Sequence, residues 1–256
     1  MNRTSIEWVK NPDGTPGFTW NPIVGCSRGC SYCYARRIAT TRLAHTCAKC
    51  ATFEPHLHPE RLEQPSQRKF PTGIFVCSMG ELYDPVLSWS AICRVHVEIE
   101  RNRQHRFYIL TKRPGFAIAP LENTWLGVSC DCQNSEADCQ KIERLAPIFT
   151  SNKGRRFVSF EPLLSTWIEP RGRILPWIDW IIIGAQTGPK HEIMAAHKRH
   201  PQMTPVPWRN AWTLQPPTEW VRGIIKTANE DNIPVFLKNN LLEARDDLPR
   251  RQEAPE

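Results

Sequence analysis

No apolar run in the 256 residues is long enough to cross a bilayer: the longest, Trp180 to Ala185, falls far short of the ~20 residues a spanning helix needs. The first ten residues, MNRTSIEWVK, carry no hydrophobic segment of the secretory kind, so the expected compartment is the cytoplasm. There is no internal repeat and no low-complexity tract, which removes solenoids and tail-like disordered proteins. Nor is any recognised nucleic-acid-binding module present. Acidic residues are in deficit, 26 against 33 Lys+Arg, leaving a formal charge of +7. What is there suffices for a folded protein: 40% of the chain is hydrophobic, ample for a buried core at this length. Ten cysteines in a reducing compartment are not expected to form disulfides, and point instead to metal or redox chemistry.

Proline is plentiful, 23 of 256 residues where ordinary usage is ~5%, and it falls between apolar runs rather than inside them. Six β-type runs result: Gly73 to Cys77, Arg106 to Leu110, Thr124 to Ser129, Arg156 to Phe160, Trp177 to Ile183 and Ile233 to Leu237. They are continuous rather than alternating, as strands covered on both faces are. Helical spacing lies between them, with Ile92, Val95 and Ile99 in 88–102, a Ser135/Asp138 capping pair before Ile142, and Val221, Ile224 and Ala228 in 218–232. Strands alternating with helices predict an α/β fold with a parallel sheet or barrel. Each run is followed at once by polar residues: Cys77-Ser78, Thr111-Lys112, Ser129, Ser159 with Glu161, Gln186-Thr187 and Lys238. Carboxyl ends of parallel strands line the functional face of such folds. A single domain is expected over 1–242, with a Pro/His/basic loop inserted at about 189–217 and a charged, frayed tail at 243–256.

The strongest local signal is the C-x3-C-x2-C run Cys26, Cys30, Cys33. Three closely spaced thiolates can hold three irons of a cubane cluster, whose ordinary form takes four. Such a loop would leave one iron open to a small molecule. Two other arrangements remain open on spacing alone. Zinc needs four ligands, and Cys47-x2-Cys50 with His45, His56 and His58 could supply the rest. A fourth cysteine from that pair would instead close the cluster for electron transfer.

C-x3-C-x2-C with Tyr32 just before the third cysteine resembles the signature of the radical S-adenosylmethionine (radical SAM) superfamily. The likeness extends, in order, through Asn21-Pro22-x-x-Gly25-Cys26, His58-Pro59-Glu60-Arg61-Leu62, Ile74 to Met79, Leu110-Thr111-Lys112-Arg113-Pro114, Trp125 to Ser129 and Phe157 to Leu164. Together these are similar to a phage- and prophage-associated three-Cys-motif family of unknown function. The resemblance implies a partial (βα)6-type parallel barrel with a 4Fe-4S cluster on Cys26, Cys30 and Cys33. S-adenosylmethionine would chelate the open iron, and its reductive cleavage would yield a 5′-deoxyadenosyl radical that abstracts hydrogen from substrate. The implied cofactor-binding residues are Tyr32, Ser78 and Glu81 of Ser78-Met79-Gly80-Glu81, then Ser129, Asp131, Ser159 and Glu161. Glu161 could equally serve as a structural partner of Arg155 or Arg156. Lys112 and Cys77 are candidate catalytic residues. Cys77 would return hydrogen to a product radical, unless it is a small buried hydrophobe. Implied partners are an electron donor such as flavodoxin or ferredoxin and a three-Cys-motif partner protein, with no membrane.

The chain departs from that family where substrate should be met. Gly184-Ala185-Gln186-Thr187-Gly188 lacks the carboxylate of the usual Gly-Gly-Glu-Ser-Gly, Phe236-Leu237-Lys238-Asn239 replaces Phe-x-Lys-Gln, and the 189–217 excursion is long. Cys47 and Cys50 lie outside the pattern and could bind zinc or a second cluster. Cys93 reads as core, and Cys130, Cys132 and Cys139 lack ligand spacing. Arg94, Arg101, Arg103, Arg106, the run His197-Lys198-Arg199-His200 and ten tryptophans favour an anionic substrate, a nucleotide or nucleic acid. The alternative function, from another class, is a non-catalytic nucleic-acid-binding protein stabilised by zinc or an iron-sulfur cluster.

Overall fold

The computed structural model describes residues 1–45, 47–118, 121–145, 154–168 and 178–255. They fall into two compact units, Met1–Leu126 with Ile148–Gly154 and Gly127–Pro147 with Arg155–Glu256. The chain is α/β with largely parallel strands, as expected. Among the described residues, no helix is long and apolar enough to cross a membrane.

In the first unit the elements are β1 (Asn2–Arg3), β2 (Phe18–Trp20), β3 (Ile23–Val24), α1 (Tyr34–Thr41), α2 (Ala48–Thr52), β4 (His56–Leu57), β5 (Gly73–Val76), α3 (Trp89–Arg101) and β6 (Arg106–Thr111). β5 lies between β2 and β6 and runs parallel to both, with Trp20 opposite Val76 and Val76 opposite Ile109. β1 closes the edge antiparallel to β2, and β3 pairs antiparallel with β4. The apolar runs became strands because both faces are covered: all four residues of β5 are buried, and Trp8 packs edge-on against Phe75 and Tyr108 at 5.1 and 5.6 Å. α3 starts where Ser88 accepts the Ala91 N–H at 3.2 Å, and it buries Ile92, Val95 and Ile99. Each such burial stabilises by roughly 1.5–3 kcal/mol. β2 escaped the sequence reading because three residues, Phe-Thr-Trp, are too short a run to stand out.

The second unit carries β7 (Thr124–Cys130, which begins just before the boundary), α4 (Ser135–Glu143), β8 (Arg155–Phe160), β9 (Trp180–Ile183), β10 (Gln186–Gly188), α5 (Lys190–Arg199), β11 (Thr204–Trp208), β12 (Ala211–Gln215), α6 (Thr218–Glu230), β13 (Val235–Leu237) and α7 (Asn239–Leu242). β8, β9 and β13 are parallel, with Phe160 opposite Ile183 and Ile183 opposite Leu237. Trp177, where the fifth run was expected to begin, lies outside the described residues.

Three expectations are corrected here. Asn134, not Ser135, caps α4 by accepting the Ala137 N–H at 3.0 Å, while Asp138 accepts the Cys132 N–H at 2.9 Å and pairs with Lys141. The 189–217 stretch is no loop: it forms α5 and most of an antiparallel three-stranded sheet, β10-β12-β11. Its prolines at 205 and 207 sit in β11, an edge strand, where a missing N–H is tolerated. The charged tail is ordered against β13. Leu237 N–H donates to Arg251 O at 2.8 Å, Glu253 N–H to Val235 O at 3.1 Å, and the Trp180 indole to Glu253 O at 2.8 Å. Charge suggested fraying, but backbone pairing and one buried tryptophan override it.

Candidate functional site

The three-cysteine loop follows β3, just past the carboxyl end of β2, and rests beside the carboxyl ends of β5 and β6. Gly25 makes its entry possible. Its φ is +94°, and a Cβ there would lie 2.3 Å from Glu54 O, so only glycine fits. Its amide donates to Met79 O and its carbonyl accepts from Glu81 N–H, both at 3.0 Å. Gly25→Ala is expected to cost at least about 2 kcal/mol, read as a shifted denaturant midpoint, since strain and overlap add.

Each cysteine sulfur faces a donor. Cys26 accepts the Arg28 N–H at 3.4 Å, and Cys33 caps α1 by accepting the Arg36 N–H at 3.3 Å. The Lys112 ammonium lies 3.8 Å from the Cys30 sulfur and beside the Tyr32 phenol oxygen. At Cys26 the Arg28 N–H favours thiolate over thiol. Burial acts the other way on Cys26, pushing its thiol up to about 11. A bound metal ion reverses that balance, because a coordinating thiol is deprotonated outright.

The loop is braced by residues that the sequence reading passed over. Asp84, fully buried, accepts Ser27 N–H at 2.8 Å and the Ser27 hydroxyl at 2.9 Å, and Arg113 donates to that hydroxyl at 2.9 Å. The Asn21 side-chain Oδ1 accepts Met79 N–H at 3.0 Å and the Ser78 hydroxyl at 3.1 Å, while the Tyr34 hydroxyl donates to Ser78 O at 2.6 Å. Asn21 and Arg113 belong to motifs already recognised, and Asp84 stands three residues past Glu81; their position after parallel strands was the available signal.

Glu81 is buried and stitches β5 to β6. It accepts the Thr111 hydroxyl at 2.6 Å, Lys112 N–H at 3.0 Å and Tyr83 N–H at 3.2 Å. Burial holds its carboxyl above the usual range, and those hydrogen bonds oppose the rise. Cys77 has φ +57° and is buried, its thiol pushed up to about 12 by burial. Thus Cys26, Cys30, Cys33, Tyr32, Ser78, Glu81 and Lys112 are gathered at one end of the first unit.

In the second unit the strand ends carry Ser129, Asp131, Glu161 and Lys238. Glu161 pairs with Lys238 across the end of β9, in space left by Gly184, where a Cβ would lie 3.0 Å from each side chain. Its ionic partner is therefore Lys238, whereas Arg156 pairs with Asp179 at 3.2 Å. The Ser129 hydroxyl donates to Glu161 O at 3.4 Å, and the Asp131 carbonyl accepts Leu164 N–H. Ser159 is fully buried, its hydroxyl without a partner among the described residues. Cys130, Cys132 and Cys139 are buried too, with burial pushing the Cys132 thiol up, and Cys93 on α3 is half-buried. Arg101 pairs with Glu98, Arg103 with Glu100, and the Arg106 guanidinium stacks on Trp125 at 4.6 Å.

Cys47 and Cys50 do not complete the three-cysteine loop. Their sulfurs group with His56 and His58, all four ligand atoms within 4.8 Å of one another, and His45 is not among them.

The molecule is thus an α/β protein with a three-cysteine loop at the carboxyl ends of parallel strands. It belongs to the family described as "Protein of unknown function (DUF5131)", whose model matches residues 3–200. No curated protein matches the chain. Solved structures it is similar to include a spore photoproduct lyase complexed with dinucleoside spore photoproduct, at 11% identity and TM-score 0.48 over 90% of this chain and 78% of that one. A cysteine-to-serine variant of that lyase matches at 12% and 0.49 over 93% and 80%. A doubly substituted one with bound AdoMet and the dinucleoside matches at 10% and 0.46 over 90% and 77%. Likeness at this level says nothing of chemistry.

Proposed function

We propose that the chain is a radical S-adenosylmethionine enzyme, holding a 4Fe-4S cluster on Cys26, Cys30 and Cys33 and taking hydrogen from a nucleotide or nucleic-acid substrate. One observation carries the reading. Three sulfurs, each facing an N–H or ammonium donor, share one loop at the carboxyl ends of β2, β5 and β6, while the cysteines that could have supplied a fourth are grouped with two histidines elsewhere. That grouping weighs against both a zinc shared between the two cysteine sets and a closed cluster, and so against the non-catalytic alternative. The donor set fits the group, since thiolates are the ordinary ligands of such clusters. When bound, the cluster supplies the electron that breaks the sulfonium's carbon–sulfur bond, itself replenished by a donor of the flavodoxin or ferredoxin kind.

The protein's own side chains do the positioning. Asp84 and Arg113 fix Ser27 between the first two cysteines, Lys112 sets a positive charge beside Cys30, and Glu81 holds the backbone on which Lys112 stands. Ser78, Tyr32, Ser129, Asp131, Ser159 and Glu161 remain the proposed cofactor contacts, and Cys77 a proposed hydrogen donor. The net charge of +7 supports an anionic substrate.

Anaerobically reconstituted protein is expected to release 5′-deoxyadenosine from S-adenosylmethionine when given dithionite. Iron-free protein carrying zinc on the three cysteines, with no release, would refute the reading. Binding to DNA or RNA at low salt checks the substrate class, because phosphate contacts must register there. Glu161→Gln is expected to weaken S-adenosylmethionine binding about tenfold, as loss of one charge-assisted contact would. Unchanged affinity in equilibrium binding leaves Glu161 as Lys238's partner alone.

A further inference from the structure

The segment between α1 and β5 carries a second constellation. Cys47 stands at the start of α2 and Cys50 on it, His56 lies in β4, and His58 follows directly. The His56 Nε2 lies 3.4 Å from the Cys47 sulfur and 3.6 Å from that of Cys50, and the His58 Nε2 lies 3.5 Å from Cys50. The two Nε2 atoms are 2.9 Å apart. Their protonation follows from the opposite side of each ring. His56 Nδ1 is 2.7 Å from Glu54 O, and His58 Nδ1 is 2.8 Å from a Glu60 carboxylate oxygen. Carbonyl and carboxylate oxygens only accept, so each Nδ1 carries a hydrogen, and in the neutral imidazole each Nε2 then presents a lone pair. Two such lone pairs 2.9 Å apart, with two sulfurs beside them, repel until a proton or a metal ion lies between them, and four converging sulfur and nitrogen donors suit a metal ion.

We propose that Cys47, Cys50, His56 and His58 bind a single structural zinc ion, and that this ion fixes the wall against which the three-cysteine loop is seated. Two sulfurs and two imidazoles in a tetrahedral arrangement are a zinc donor set. Zinc arms of their usual lengths put sulfur and nitrogen about 3.6 Å apart and two nitrogens about 3.3 Å apart, so the ion enters by spreading the rings a few tenths of an ångström. Two thiolates cancel its charge, which suits a site where Cys50 and His58 are buried. The Glu54 carbonyl and Glu60 carboxylate supply the outer hydrogen bonds that orient zinc-bound imidazoles. All four positions are protein-filled, which makes the site structural rather than catalytic.

Its consequence for the loop lies between the two ligand pairs. Phe53, at φ +59°, packs with Ala35, Ala39, Cys26, Cys33 and Met79, and its carbonyl accepts the Cys26 N–H at 3.2 Å. Glu54 O is the atom that Gly25 must clear, and β4 pairs with β3, Val24 opposite His56. A zinc clamp at both ends of 47–58 thus holds Phe53 and Glu54 in place.

The test uses the untagged full chain purified with zinc and without added iron, so its failure is separate from failure of the cluster reading. About one zinc per chain is expected by elemental analysis, kept in Cys30→Ser and reduced to about a tenth or less in Cys47→Ser and Cys50→Ser. Stripping wild-type protein with a chelator and adding cobalt should give the visible bands of a tetrahedral thiolate–imidazole site, a readout that depends on no variant. Stripping should also speed hydrogen exchange at the Cys26 amide. Zinc-free wild type, zinc lost in Cys30→Ser but kept in Cys47→Ser, or a cobalt spectrum without thiolate bands would overturn the site. Unchanged exchange at Cys26 would overturn its role as a wall.

Discussion

Cys30→Ala is expected to abolish iron incorporation and to lower 5′-deoxyadenosine release by at least about 10²-fold, while thermal unfolding stays near wild type. Losing one of three ligands should exceed the 10–100-fold that losing an outer-shell partner costs. Cys30 is the informative position because the other two cysteines also serve the fold. Cys33 caps α1, and Cys26 packs against Phe53 with its amide on Phe53 O, so replacing either mixes folding with chemistry. The Cys30 sulfur is half-exposed, with Lys112 as its neighbour. Iron analysis, the cleavage assay and a melting curve on one preparation decide it. A variant that keeps both iron and cleavage would sink the proposed function.

Asp84→Ala should destabilise the protein by about 2–4 kcal/mol in denaturant unfolding, more than most substitutions. The side chain is buried, and its removal strips Ser27 of the acceptor for both amide and hydroxyl. A buried N–H left without a partner costs ~1–3 kcal/mol, and the Arg113 guanidinium, 3.9 Å away, loses its counter-charge. Asp84→Asn keeps one acceptor oxygen and should recover part of the loss. Wild-type unfolding in Asp84→Ala would show that the loop does not depend on this brace.

What could be read from residue order was whatever repeats along the chain. β5, β6, β7, β8 and β13 announced themselves as apolar runs, because strands buried on both faces need no alternation. The cysteine run was legible because all three cysteines lie on one short loop. By contrast, the Asp84–Ser27 brace and the Glu161–Lys238 pair join residues separated by 57 and 77 positions, and spacing holds no record of them. The four-ligand group at Cys47 was half visible: its cysteines and histidines were noticed, but the sequence could not say which of them meet. The Pro-rich stretch misled for a physical reason. Proline signals a break in a central strand, yet Pro205 and Pro207 occupy an edge strand, where nothing needs their amide.

The chain's last turn toward β13 has a bearing on how the protein behaves in concentrated solution. β13 is the outermost strand of its sheet, three apolar residues with one rim otherwise unpaired. Residues 251–253 lie along that rim and take up its hydrogen-bonding groups. Trimming by a protease would bare a sticky ribbon, inviting chains to stack side by side, so the acidic and basic segment doubles as a guard against self-association.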